Sequence, residues 1–150
     1  MQDTELQLES VENLVNDIWG KFLGMEIHGS VQPEAAPFSD SYFAWVRIVG
    51  HENITIILKC PESLARWTTA AMYEDKPEQM DNGQIQDCLK EIVNILGGNV
   101  KGMLTKYHLL SIPFVSGPGR GPQFPPEDYL GQFYFQSLGQ SLQLTFLKVA

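Results

Sequence analysis

The sequence predicts an α+β fold, a mainly antiparallel six-stranded sheet with long helices packed on one face. Three observations lead there. Residues 4–23 and 83–106 carry apolar side chains at helical spacing. Two pairs of β-branched and aromatic runs, 41–49 with 54–60 and 129–137 with 141–149, flank turn-forming residues. The order also repeats: long helix, short extended piece and hairpin occur before residue 61 and again after residue 82, with one helix between. Helices segregated from hairpins in this way suit a layer of helices on an antiparallel sheet. The 150 residues are enough for a single domain, 1–150, to bury a core, and 43% hydrophobic with 19% charged residues argues against disorder.

In chain order, Val11, Leu14, Val15, Ile18, Trp19 and Phe22 form the apolar stripe of the first helix, and Gly24 can end it. Residues 25–31 suit a short strand, and the loop after it holds Pro33 and Pro37. Residues 41–49 and 54–60 form a hairpin around the turn formers GHEN. Pro61 opens a second helix whose stripe is Leu64, Trp67, Thr68 and Ala71, running to about Tyr73. An acidic linker, 74–82, ends in Asp81, which pairs with Gln84 as a capping box for the third helix. That helix runs over 83–106 unless Gly97-Gly98 breaks it. Residues 109–115 suit a strand interrupted by Pro113, and 116–128 is too rich in Gly and Pro for regular structure. A second hairpin turns at 138–140.

The charge excludes several functions. Ten Lys and Arg stand against eighteen Asp and Glu, a net charge of −8, so no basic surface for nucleic acid or anionic membrane is expected. No apolar run approaches the roughly 20 residues of a membrane span. The opening MQDTELQLES lacks the apolar core of a signal peptide. Cys60 and Cys88 form neither a CxxC site nor a disulfide framework, so a reduced, cytoplasmic protein is expected. His28, His51 and His108 have no metal-ligand spacing, and no metal site or cofactor of the chain's own is expected. The run SGPGRG lacks the Lys and Ser/Thr of a phosphate loop, which leaves Arg120 as a surface residue or a partner contact.

The third helix carries the chemistry. Wound at helical spacing, Cys88, Leu89, Ile92, Ile95 and Leu96 share one face. Asp87, Glu91, Asn94 and Gly98 form a narrow stripe opposite, at i, i+4, i+7 and i+11. Two adjacent glycines inside a helix cost about 1 kcal/mol each relative to alanine. Close approach of another backbone is the simplest compensation. By itself the stripe also fits a solvated helix face.

On these residues the chain resembles the CheC/CheX family of chemotaxis phosphatases. The family pattern of Asp or Ser, then Glu, then Asn on one helix reads here as Asp87, Glu91 and Asn94, with Gly98 in the following glycine position and Pro113 as the downstream proline. The order of elements agrees along the whole chain. The first helix, LESVENLVND, has no Glu-x-x-Asn pair, so one site per chain is expected. The resemblance implies a phosphatase acting on the aspartyl phosphate of a CheY-type response regulator. Asn94 would position the water, Glu91 would dock a partner lysine, Asp87 would extend the acidic edge, and Gly98 would admit the partner. Mg²⁺ would belong to the phosphorylated partner. A non-catalytic response-regulator-binding module and a scaffold with a merely solvated stripe are the alternative readings. Residues 42–49 place apolar side chains on both strand faces apart from Arg47, so the face away from the helices is expected to be covered in a homodimer; the resemblance implies the same.

Overall fold

The computed structural model describes residues 8–31, 40–119, 121–124 and 129–149. The proline loop after residue 31, Arg120 and the expected helix start at residue 4 lie outside them. Three α-helices and seven strands occur among the described residues. They are α1 (Leu8–Asn16), β1 (His28–Ser30), β2 (Ser41–Gly50), β3 (Asn53–Pro61), α2 (Glu62–Tyr73), α3 (Asn82–Met103), β4 (His108–Leu110), β5 (Phe114–Ser116), β6 (Tyr129–Ser137) and β7 (Gln140–Val149). The fold class is as expected, α+β with an antiparallel sheet. The strand count rises from six to seven because the run around Pro113 divides into β4 and β5, both paired with β2.

The strand order is β1-β6-β7-β3-β2-β4, with β5 also on β2. This arrangement gives the internal repeat a spatial meaning. The two hairpins meet at the β3–β7 seam. The short strand of the first half, β1, lies on the hairpin of the second half. The short strands of the second half, β4 and β5, lie on the hairpin of the first.

One face of the sheet is the main core. Tyr42, Ala44, Val46 and Ile48 of β2 join Ile54, Ile56, Leu58 and Cys60 of β3 beneath the helices. The opposite face holds a smaller apolar cluster, Phe43, Ile57 and Leu147, with Trp45 and Phe124 packed against it. Residues 121–124 therefore cover part of the face that the strand pattern leaves open.

Two helices depart from their sequence stripes. After Asn16, α1 widens into a π-helical turn, Asp17–Phe22, with the Leu23 N–H donating to the Ile18 carbonyl at 3.0 Å. The wider turn delays the helical phase by one position, so Leu23 is buried and Phe22 is 50% exposed. Gly24, at φ 70°, ends the helix. In α2, Leu64 and Thr68 of the expected stripe are buried and Ala71 packs against the core, but Trp67 is 50% exposed and Ala65, Thr69 and Ala70 are buried in addition. The threonines can go inside because their hydroxyls donate to the Leu64 and Ala65 carbonyls, each at 2.7 Å.

α3 survives its glycines and ends at Met103. Its N-terminus has both bonds of the capping box: the Gln84 N–H donates to Asp81 Oδ1 at 2.8 Å, and the Asp81 N–H to Gln84 Oε1 at 3.0 Å. Gly97 explains how the helix tolerates the local cost. A Cβ there would lie 2.8 Å from Leu110 Cδ1 and 2.8 Å from Val46 Cγ1, so the missing side chain lets α3 sit down on β2 and β4. The close approach at Gly97 is made within the chain by two side chains, rather than by the other backbone that the glycine pair predicts.

Candidate functional site on the third helix

Seating by Gly97 fixes which face of α3 looks outward. Ile85, Cys88, Leu89, Ile92, Val93, Leu96 and Val100 are buried. Asp87, Glu91 and Gly98 are exposed, and Asn94 is half-buried. Nothing lies within 4 Å of a Cβ built on Gly98, so this glycine leaves free space and the other fills it.

The stripe borders an open depression lined by Asp87, Lys90, Glu91, Asn94, Ile112 and Pro113. The segment between β4 and β5 forms its second wall. Ser111 anchors that wall: its N–H donates to the Arg47 carbonyl at 2.8 Å, and its Oγ accepts from the Arg47 N–H at 2.9 Å and donates to the Ile112 carbonyl at 2.8 Å. The fold therefore brings Pro113 to the stripe, as well as two residues that the sequence did not mark, Lys90 and Ile112. Lys90 stands three residues after Asp87, a spacing that signals a helical ion pair. Nothing in the local pattern marks Ile112 except its place before a proline.

The charges in the depression are unequal in their freedom. Lys90 Nζ lies 3.6 Å from Asp87 Oδ1, and the Asp87 side chain is 68% exposed. Among the described residues, Glu91 has no ion-pair partner and the Asn94 carboxamide has no hydrogen-bond partner. One free carboxylate and one free amide, a helical turn apart, face outward. Two carboxylates four residues apart on one helix project in parallel, so Asp87 and Glu91 do not flank a substrate bond as an acid–base pair must.

Thiol chemistry is disfavoured beneath the stripe. Burial pushes the Cys88 thiol up to about 11, opposed by a hydrogen bond with Thr69 and reinforced by the Glu91 charge. Burial pushes Cys60 up further, with Cys88 adding to it. Neither sulfur offers the thiolate that a nucleophile requires. His108 is buried and plays a structural part: its Nδ1 meets the Lys106 carbonyl at 2.7 Å, and its Nε2 accepts from the Glu52 N–H at 3.2 Å. These partners fit the neutral Nδ1–H tautomer. Among the described residues, no group of three or more His, Cys, Asp or Glu side chains is placed to hold a metal ion. No helix among them is long and apolar enough to cross a membrane.

The family profile described as chemotaxis phosphatase CheX matches residues 42–118, a stretch from β2 to just past β5 that contains the whole depression. The chain belongs to the CheX family. Solved structures extend the likeness to the ends of the chain. Chemotaxis protein CheX from Vibrio vulnificus is 19% identical over 99% of both chains, with a TM-score of 0.79. CheX from Desulfovibrio desulfuricans is 15% identical, with 95% of this chain and 100% of that one covered and a TM-score of 0.73. A CheX–CheY–BeF3–Mg complex from Borrelia burgdorferi contains a chain 12% identical to this one, covering 96% and 100%, with a TM-score of 0.64. At these identities the likeness is one of fold. Among curated proteins, none matches this chain.

Proposed function

We propose that this CheX-family chain hydrolyses the aspartyl phosphate of a CheY-type response regulator, with Asn94 positioning the water and Glu91 docking the partner. The observation that carries the reading is the free Asn94 carboxamide, half-buried in an open depression one helical turn from the free Glu91 carboxylate.

An aspartyl phosphate is an acyl phosphate. Water adds to phosphorus in line, the bond from phosphorus to the aspartyl oxygen breaks, and inorganic phosphate leaves with a free carboxylate. This reaction asks for a positioned water and electrostatic support more than for an enzyme nucleophile. A carboxamide offers both a donor and an acceptor and brings no negative charge towards the phosphoryl group. That suits Asn94. The Glu91 carboxylate suits a charge-assisted bond to a lysine of the partner. Asp87 extends the acidic edge, with Lys90 tempering its charge, and Gly98 leaves room for the partner's backbone. The Mg²⁺ that stabilises the phosphoryl charge belongs to the partner. The Borrelia burgdorferi complex, which holds CheX and CheY together with BeF3 and Mg, supports the choice of partner.

We further propose a homodimer. Val49, Leu109, Phe114 and Tyr129 remain exposed on or near the sheet, even with residues 121–124 covering Phe43.

Two variants test the assignment of roles with one phosphorylated regulator. Asn94→Ala should keep binding and lower turnover on the order of 10²-fold, as loss of one preorganised group does. Glu91→Ala should first raise the regulator concentration for half-maximal rate, and should flatten the dependence on salt. Full turnover in Asn94→Ala would refute the water-positioning role of this residue, and a wild type that binds the phosphorylated regulator without speeding its loss of phosphate would make a non-catalytic response-regulator-binding module the correct reading.

A further inference from the structure

We infer that Ile112 is an apolar docking anchor for the phosphorylated receiver, acting beside the charged contact made by Glu91. The inference rests on the phosphatase reading above and adds a contact of a different physical kind.

Ile112 is 73% exposed, although it belongs to a wall of the depression that holds Asn94. A large aliphatic side chain left in water makes no contribution to folding. Its backbone, by contrast, is firmly held. Ser111 ties the segment to Arg47 in both directions and bonds the Ile112 carbonyl. Pro113 then restricts Ile112 to extended backbone. An exposed apolar side chain on a fixed backbone loses little freedom when a partner covers it, which is the economical form of a binding contact.

The geometry also selects the occupant. A partner whose phosphorylated aspartate reaches Asn94 must enter the depression, and Ile112 lines that same depression. The partner lysine that pairs with Glu91 would lie along α3, while Ile112 meets the receiver from the opposite wall. Two walls of different chemistry fix an orientation better than either does alone. Binding energy concentrates in a few side chains that become fully desolvated near the centre of an interface, and Ile112 stands beside the proposed centre at Asn94.

The roles separate experimentally, because burial of an aliphatic group depends little on salt and an ion pair depends on it strongly. The probe is a CheY-type receiver phosphorylated with phosphoramidate and titrated against wild type, Ile112→Ala, Ile112→Leu and Glu91→Ala at low and high salt. Ile112→Ala should raise the half-saturating receiver concentration about tenfold, the scale of losing most of one buried aliphatic side chain. It should leave kcat, the salt dependence and the urea midpoint unchanged. Ile112→Leu should restore most of the loss. An unchanged half-saturating concentration in Ile112→Ala, with an active wild type, overturns the anchor and leaves the phosphatase reading standing. A lowered urea midpoint or a lowered kcat in that variant also overturns it, by making Ile112 structural or chemical. A wild type that dephosphorylates no receiver overturns the phosphatase reading and the anchor with it.

Discussion

The adjacent glycines of α3 should respond to the same substitution with opposite signs. Gly97→Ala and Gly98→Ala change the same helix by the same methyl group, and each gains about 1 kcal/mol of helix propensity. The surroundings differ. At 98 the methyl meets nothing within 4 Å, so the gain stands and the variant is more stable by about 1 kcal/mol. At 97 it meets Leu110 Cδ1 and Val46 Cγ1, both at 2.8 Å. Carbon atoms pack comfortably at about 3.5–4.0 Å, so something must give by roughly 0.7 Å or more. The tip of Leu110 can swing. Val46 cannot, because it is β-branched, fully buried and on a strand paired on both sides. Overpacking of this kind costs about 1–3 kcal/mol. The propensity term cancels between the two variants, so their difference isolates the packing cost. Urea unfolding with a shared slope measures it, and thermal midpoints should separate by about 2–4 °C per kcal/mol for a chain of this size. Equal midpoints would refute the close seating of α3 on β2 and β4. The same pair bears on the partner: a stabilised Gly98→Ala that also needs more regulator for half-maximal rate places the partner's backbone at residue 98.

The remaining expectations concern assembly and pH. Sedimentation at micromolar concentration should return twice the chain mass, and a monomer would remove the homodimer. Stability should fall as pH rises through the window from 9 to about 11. The Cys88 thiol is neutral in both states below its ordinary value of 9.0, ionises in the unfolded chain above it, and in the folded chain only near 11. Cys60 is pushed the same way, so Cys60→Ala combined with Cys88→Ala should flatten the alkaline loss in urea midpoints; an unaltered slope would mean that other groups cause it.

The parts of this fold visible in the sequence are those written in local patterns. The hairpins, the capping box at Asp81 and the outward stripe on α3 all follow from spacing within one element. Errors of phase arise where an element departs from ideal geometry or satisfies its own polar groups. Phe22 turns out through a π-helical turn, and Trp67 stays outside while Thr69, whose hydroxyl bonds the Ala65 carbonyl, goes inside. Lys90 could have been noticed from its spacing to Asp87. Ile112 could not, since its place beside Asn94 depends on how β4 and β5 attach to β2. The two glycines look alike in sequence, and only the sheet beneath them tells them apart.

The exchange of short strands between the halves bears on how the chain reaches this structure. Neither half can complete its own sheet edge: β1 needs β6, and β4 with β5 needs β2. A half that collapses early exposes unpaired backbone until the other arrives. These pairings join residues far apart in the chain, so loop-closure entropy is spent before the contacts form, and folding should be cooperative and comparatively slow. A nick in the segment between α2 and α3 would then leave two fragments with no separate folded state, each serving as the template on which the other is ordered.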